Sequence, residues 1–361
     1  LILTAKIGSK IRVHNWGEFM GRCGQCAGTE RSVRSVRAVF LCLFILLFVL
    51  SMDEDSFASP AKTFERIFGD GRLRVVSYNV CGFGAGFKEN VDTEEVTRVY
   101  GRLRKDLSDL KADIICLNEV KRISVKDPEG NDRDDTLEAL AEDLEEMEYF
   151  FAHANPGYES FGNAILVSRK LQVIHCDSAH LEGGSYVPTP KGDKHIGRGC
   201  LAVCVAASLE DADKKFAVLA THLDHISEAE RLRQAESILS HRARLSNGLP
   251  HLLVGDLNAM KRSDYSEEEW AALEARNSRN RWSPPEDSAA LVALEAAGYR
   301  DMHQTASEAR WTLAADPPAR IDYILASNDF GRIGRINEAF VASAVGSDHL
   351  PMVLDILLKE T

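Results

Sequence analysis

Four apolar runs in this sequence end in groups that can hold a cation or move a proton. RVVSYNV (74–80) carries Asn79, and ADIICLNEV (112–120) carries Glu119. FAVLATHLD (216–224) carries His222, and HLLVGDLN (251–258) ends in Asp256 and Asn258. Side chains alternate along a strand, so Asp256 and Asn258, two apart, face the same way. A carboxylate that closes a buried apolar run is costly unless a metal or a hydrogen-bond donor meets it. Several such ends at one edge would build an oxygen-lined site for a hard cation. Periodicity alone marks them as strand ends and does not bring them together.

Four further runs read as strands: GNAILVS (162–168), CLAVCVAAS (200–208), RIDYILAS (320–327) and MVLDILL (352–358). Helical spacing is clear at Val96, Tyr100, Leu103, Leu107 and Leu110, and again at Leu137, Leu140, Ala141 and Leu144. Ser266 and Glu269 form a capping-box pattern that opens the helix carrying Trp270. Gly298 stands where a helix stop belongs after Leu291 and Leu294. Glu228, Arg231 and Gln234 follow THLDH at helical spacing, a face suited to tying that loop down. Strands with helices between only some of them predict an α/β chain of mixed sheets covered by helices.

The length of 361 residues suits one large domain or two small ones. Hydrophobic content of 45% and charged content of 27% are ordinary for a soluble globular protein with a full core. The net charge of -12 argues against a tight, sequence-blind nucleic-acid binder, although a metal and local cations can reverse the field in one groove. The 8 cysteines show no disulfide framework and read as buried or half-buried thiols. Cys200 and Cys204 would lie about 13 Å apart along one strand, too far to bridge. Cys23 and Cys26 have the form of half a zinc site with no second pair. Residues 1–70 read as a leader, with Met20 as a start and Arg22, Arg31, Arg34 and Arg37 ahead of the apolar run 38–50. That run, about 13 residues, fits a signal-peptide core or a short membrane anchor. It predicts membrane association and a secretory or membrane-anchored location; without it the protein would be intracellular. The remainder, 71–361, reads as one domain.

The ordered set SYN (77–79), LNE (117–119), GNA (162–164), THLD (221–224), GDLNA (255–259), RIDY (320–323) and SDH (347–349) closely resembles the endonuclease/exonuclease/phosphatase superfamily, the DNase I-like proteins. Any one motif is weak; seven in order over roughly residues 72–358 are specific. The resemblance implies an α/β sandwich of two mixed β-sheets with helices on the outer faces and the site at one end. It implies a Mg²⁺ or Mn²⁺ ion held by Glu119, with Asn79 and Asp348 holding the ion's waters. Asp256 and Asn258 would position the attacking water and the phosphoryl oxygens. Asp322 would orient His349, and His222 would be a second phosphate donor. Asn163 and Arg198, in GRG (197–199), would contact substrate, with Lys261 and Arg262 as further cations. Whether Asp256 or His349 is the base stays open. One departure is Asn118 where the family has Gln before the Glu, which changes a neighbouring hydrogen bond.

The implied reaction is hydrolysis of a phosphodiester of nucleic-acid or nucleotide type by in-line attack of water. The alternative substrate is a small phosphorylated metabolite or lipid headgroup. A non-catalytic binding module of the same fold should have lost Glu119, Asp256 or His349, and all three are present. The expected partner is a phosphate-ester substrate, nucleic acid among them, and the chain is expected to act as a monomer.

Overall fold

β1 (Arg72–Asn79) and β2 (Ile114–Lys121) run parallel at the centre of one sheet. β16 (Met352–Leu358) and β6 (Phe161–Ser168) flank them antiparallel, and β15 (Gly334–Val341) and β5 (Met147–His153) form the edges. The second sheet repeats the plan. β11 (Lys215–Thr221) and β12 (His251–Asp256) are parallel. β10 (Arg198–Ala206) and β14 (Asp322–Ala326) flank them, with β7 (Gln172–Leu181) and the short β13 (Arg300–Asp301) at the edges. Two small hairpins stand apart, β3 (Val125–Lys126) with β4 (Asp132–Arg133) and β8 (Tyr186–Thr189) with β9 (Gly192–His195). This computed structural model describes residues 71–85, 92–127, 130–154, 161–189, 192–207, 214–279, 287–303 and 310–359. All of them belong to one compact unit, Ala61–Thr361; the other unit, Leu1–Pro60, lies outside the described residues.

The central strands are apolar on both sides because both faces of each sheet are covered. Between the sheets, Val75, Ile114, Ile165 and Leu354 meet Val203, Val218, Leu252 and Ile324. On the outer face of the first sheet, Val76, Ile115 and Leu166 pack with helix Thr93–Leu110 and helix Thr136–Asp143. The first of these buries Val96, Val99, Tyr100, Leu103 and Leu107 at three- and four-residue spacing, and Asp92 caps its N-terminus. On the outer face of the second sheet, Ala202, Leu219 and Leu253 pack with helices Glu228–Leu245 and Ala289–Ala296. Each fully buried aliphatic side chain contributes roughly 1.5–3 kcal/mol, which fixes the register of both sheets. The result is the expected four-layer DNase I-like sandwich. Ser266 and Glu269 exchange the reciprocal cap bonds at 3.2 and 2.7 Å, and Gly298 takes φ +97 past its helix end.

Two expectations need correction. Membrane association and the secretory or anchored location are overturned, because among the described residues no helix is long and apolar enough to cross a membrane. The longest, Thr93–Leu110 and Glu228–Leu245, have 18 residues each and keep a charged outer face. The segment 38–50, Cys23 and Cys26, and the rest of 1–70 lie outside the described residues. The second correction concerns thiols: Cys116, Cys200 and Cys204 are buried as free cysteines, but Cys176 is exposed on an edge strand.

Candidate active site

Chain direction alone gathers the polar ends. β1, β2, β11 and β12 end where β6, β10, β14 and β16 begin, and the two sheets meet at that end. Asp256 pairs across the ladder with Asp322, and β16 starts opposite Ser77, just past the SDH loop. Glu119 sits in a β-bulge, where the β2–β6 register shifts between Leu117 and Val120, and takes φ +54. Asn258 takes φ +47. Left-handed backbone at non-glycine residues costs about 1–3 kcal/mol and survives only where surroundings impose it. Here it re-aims both side chains into one space.

Asp256 is the centre of that space and is buried. Its Oδ1 accepts the Asn258 N–H at 2.9 Å, and its Oδ2 accepts from Asn79 Nδ2 at 3.0 Å. Asn79 Nδ2 also donates to Glu119 Oε1 at 3.0 Å. The N–H of Cys81 holds Asn79 Oδ1, so the donor end of this amide faces the carboxylates. His349 Nδ1 lies 2.9 Å from Asp322 Oδ2, and its Nε2 lies 3.8 Å from Asp256 Oδ2. His222 Nε2 lies 3.6 Å from Asp256 Oδ2, 3.9 Å from Glu119 Oε1 and 2.9 Å from Asn258 Nδ2.

The charges are out of balance. Burial and then the charge of Asp322 push the Asp256 carboxyl up to about 7. Burial opposes a charged His349, but Asp322, through charge and hydrogen bond, and then Asp256 and Asp348 outweigh it and raise it to about 10. Burial and the neighbouring Arg198 hold His222 well below its usual value, so this ring is neutral. Among the described residues, two groups offer atoms within 4.8 Å of one another, Glu119 with His222 and Asp256, and Asp256 with Asp322 and His349. Both can hold a divalent metal ion. Crowded carboxylates whose mutual repulsion a cation would relieve are the donor set for a hard ion.

Behind the centre lies a network that the sequence hid. Asn118, fully buried, accepts the Asp256 N–H at 2.8 Å and donates to Asn163 Oδ1 and to Thr221 O, each at 2.9 Å. It ties β2 of one sheet to β11 and β12 of the other. Gly255 allows that approach, since a Cβ there would sit 2.0 Å from Thr221 O and 2.9 Å from Asn118 Oδ1. Thr312, also fully buried, accepts the N–H groups of Ile321 and Asp322 at 3.0 Å through Oγ1, and its carbonyl accepts from Leu350 at 2.7 Å. It clasps the strand bearing Asp322 to the loop bearing His349. The helix face after THLDH works as expected. Gln234 accepts the Asp224 N–H at 2.7 Å, and Arg231 donates to Asp224 O at 2.9 Å.

Not every expected residue joins the centre. Asp348 is exposed and belongs to neither carboxylate–imidazole group. Asn163 is buried between Asn118 and Gly199 O, and Arg198 is buried against His222 and His225. These two support other residues where substrate contact was expected. Lys261 pairs with Glu295 at 2.6 Å and Arg262 with Glu267. His225 and Thr312 are the positions that motif reading passed over, and Asn118 was noted only as a departure from the family's Gln. A polar amide inside ADIICLNEV was the one visible signal, since such a group needs partners when buried.

The Endonuclease/Exonuclease/phosphatase family model matches residues 76–349. A search of curated proteins finds no match. Among solved structures, an endonuclease/exonuclease/phosphatase from Bacteroides vulgatus superposes with TM-score 0.55 at 16% identity, over 80% of this chain and 99% of that one. The human Nocturnin catalytic domain with bound sulfate gives 0.53 at 16%, over 80% and 94%. A mannosyl-6-phosphatase from Bacteroides thetaiotaomicron gives 0.51 at 17%, over 79% and 99%. These likenesses establish a shared fold, and the buried carboxylate–imidazole groups support metal-dependent phosphoesterase chemistry on it. With the family model spanning the motifs from β1 to the SDH loop, the chain belongs to the Endonuclease/Exonuclease/phosphatase family.

Proposed function

We propose that the protein hydrolyses a phosphodiester of nucleotide or nucleic-acid type, in short or single-stranded form, by in-line attack of water. Glu119 and Asp256 would hold a Mg²⁺ or Mn²⁺ ion, which when bound neutralises phosphate charge and lowers the pKa of water. Asp256 takes the proton of the attacking water. Asn258 and His222 hold the phosphoryl oxygens. Asp322 fixes His349 through Nδ1, so that Nε2 faces the reacting group and stabilises charge on the phosphoryl oxygens or leaving group. The observation that carries this reading is the line Asp322–His349–Asp256, at 2.9 and 3.8 Å, beside Glu119.

The restriction to short substrates rests on charge. Lys261 and Arg262 are spent on ion pairs, and the chain carries -12 overall. A long duplex needs many phosphate contacts. The test is a panel with Mg²⁺ and Mn²⁺: duplex, single-stranded and abasic DNA, RNA, 5′-phosphotyrosyl DNA, sphingomyelin, inositol phosphates and sugar phosphates. Turnover of short nucleotide diesters supports the proposal. Turnover of sugar or inositol phosphates alone replaces it with a small-metabolite phosphatase.

A further inference from the structure

Arg198 opens β10 at the active-site end and is 2% exposed. Its terminal nitrogens meet imidazoles: Nη1 lies 3.3 Å from His222 Nδ1 and Nη2 lies 3.1 Å from His225 Nδ1. Its Nε has no partner among the described residues. The carboxylates whose charge reaches it, Asp224, Glu119 and Asp256, act from a distance. Asp224 spends its oxygens on Ser185 N and Oγ and on the N–H groups of Ile226 and Ser227. Arg198 is thus a buried cation with no ion pair among the described residues. Such a charge is costly unless an anion comes within range.

His225 is the exposed member of this cluster. A guanidinium is always protonated and only donates. Nδ1 of His225 must therefore supply a lone pair, and the proton of the neutral ring sits on Nε2, on the side of the ring away from Arg198. Desolvation of the ring edge packed against Arg198, and then the charge of that guanidinium, hold this ring below its usual pKa although the residue as a whole is exposed, so it stays a neutral donor near neutrality. That suits binding and not proton transfer.

We propose that His225, backed by Arg198, is a substrate-binding residue that donates Nε2–H to a second phosphate of the substrate, next to the scissile one. This rests on the phosphoesterase reading above. Two p-nitrophenyl esters of thymidine 5′-phosphate, one with and one without a 3′-phosphate, form the test pair. The wild type should show a KM about tenfold lower for the ester with the extra phosphate, the scale of one hydrogen bond to a charged group. In His225→Ala the ratio of the two KM values should fall to about one. The contact is also read without turnover, by histidine side-chain ¹H–¹⁵N spectra of the wild type titrated with inorganic phosphate. Expected are a bare Nδ1 and a protonated Nε2 on His225, the latter shifting as phosphate is added. A protonated Nδ1, a silent Nε2, or a KM ratio that survives His225→Ala overturns the proposal. If neither ester is turned over while the spectra behave as expected, the phosphoesterase reading fails and the anion site stands.

Discussion

Asp322→Asn keeps the shape of the side chain and removes its charge. In the native site Asp322 Oδ2 meets His349 Nδ1 at 2.9 Å, with both residues buried. Burial lowers the pKa of His349, and Asp322 is the leading group that overturns this and carries it to about 10. A raised folded pKa means that the imidazolium is held at neutral pH and lost as pH climbs through that value. Without the Asp322 charge, burial regains weight and the pKa drops, at about 1.4 kcal/mol per unit. The proton that Nε2 presents to the reacting group is then missing near neutrality. Positioned acid–base groups contribute about 10²–10⁴-fold, or roughly 3–5 kcal/mol of barrier. We expect kcat to fall by that factor. Stability should change little, because the substitution also relieves the repulsion that raises Asp256. The assay pairs kcat on a substrate of the wild type with an NMR titration of His349 in metal-free protein. A kcat within about threefold of wild type, with His349 titrating as before, would refute the reasoning.

Asn118→Ala should lower stability by at least about 1–3 kcal/mol, because Asp256 N–H, Asn163 Oδ1 and Thr221 O lose a buried partner; urea unfolding measures it, and an unchanged midpoint would show that the clamp is dispensable. Turnover should fall with it, since the backbone of Asp256 is no longer fixed. For any nucleic-acid substrate, the slope of log affinity against log salt should be no steeper than about 3, because few cations near the site are unpaired. Binding of a long duplex and a short single strand across a salt series checks this, and a steep slope with duplex preference would mean that a basic surface was overlooked.

The central strands were legible and the edge strands were not. β1, β2, β6, β10, β11, β12, β14 and β16 are apolar on both faces and announce themselves in the sequence. β5, β7 and β15 lie at sheet edges, where half of the side chains meet solvent. QVIHCDSAHL, exposed or half-exposed along most of its length, carries too little hydrophobic signal to stand out. The same logic divides the site. Asn79, Glu119, Asp256, Asn258, His222, Asp322 and His349 stand in recognisable motifs at strand ends, and the fold brings them together. Apart from Asn118, an amide inside an apolar run, the supports behind them could not be read, because a buried Asn, Thr or Arg looks the same in sequence as an exposed one. Arg198 shows this best: its type suggested a substrate contact, while its burial against two imidazoles makes it a support.

The central claim is that Glu119 and the carboxylates around it hold the ion on which phosphate-ester hydrolysis depends. Glu119→Gln tests it most directly, because it keeps size and hydrogen-bonding shape and removes one charge. Mg²⁺ and Mn²⁺ binding is measured by calorimetry on wild type and variant, alongside turnover and the melting temperature. The account predicts an intact fold, ion affinity weakened at least about tenfold, and turnover lowered by more than about 10². Wild-type turnover and unchanged ion affinity in Glu119→Gln would contradict it.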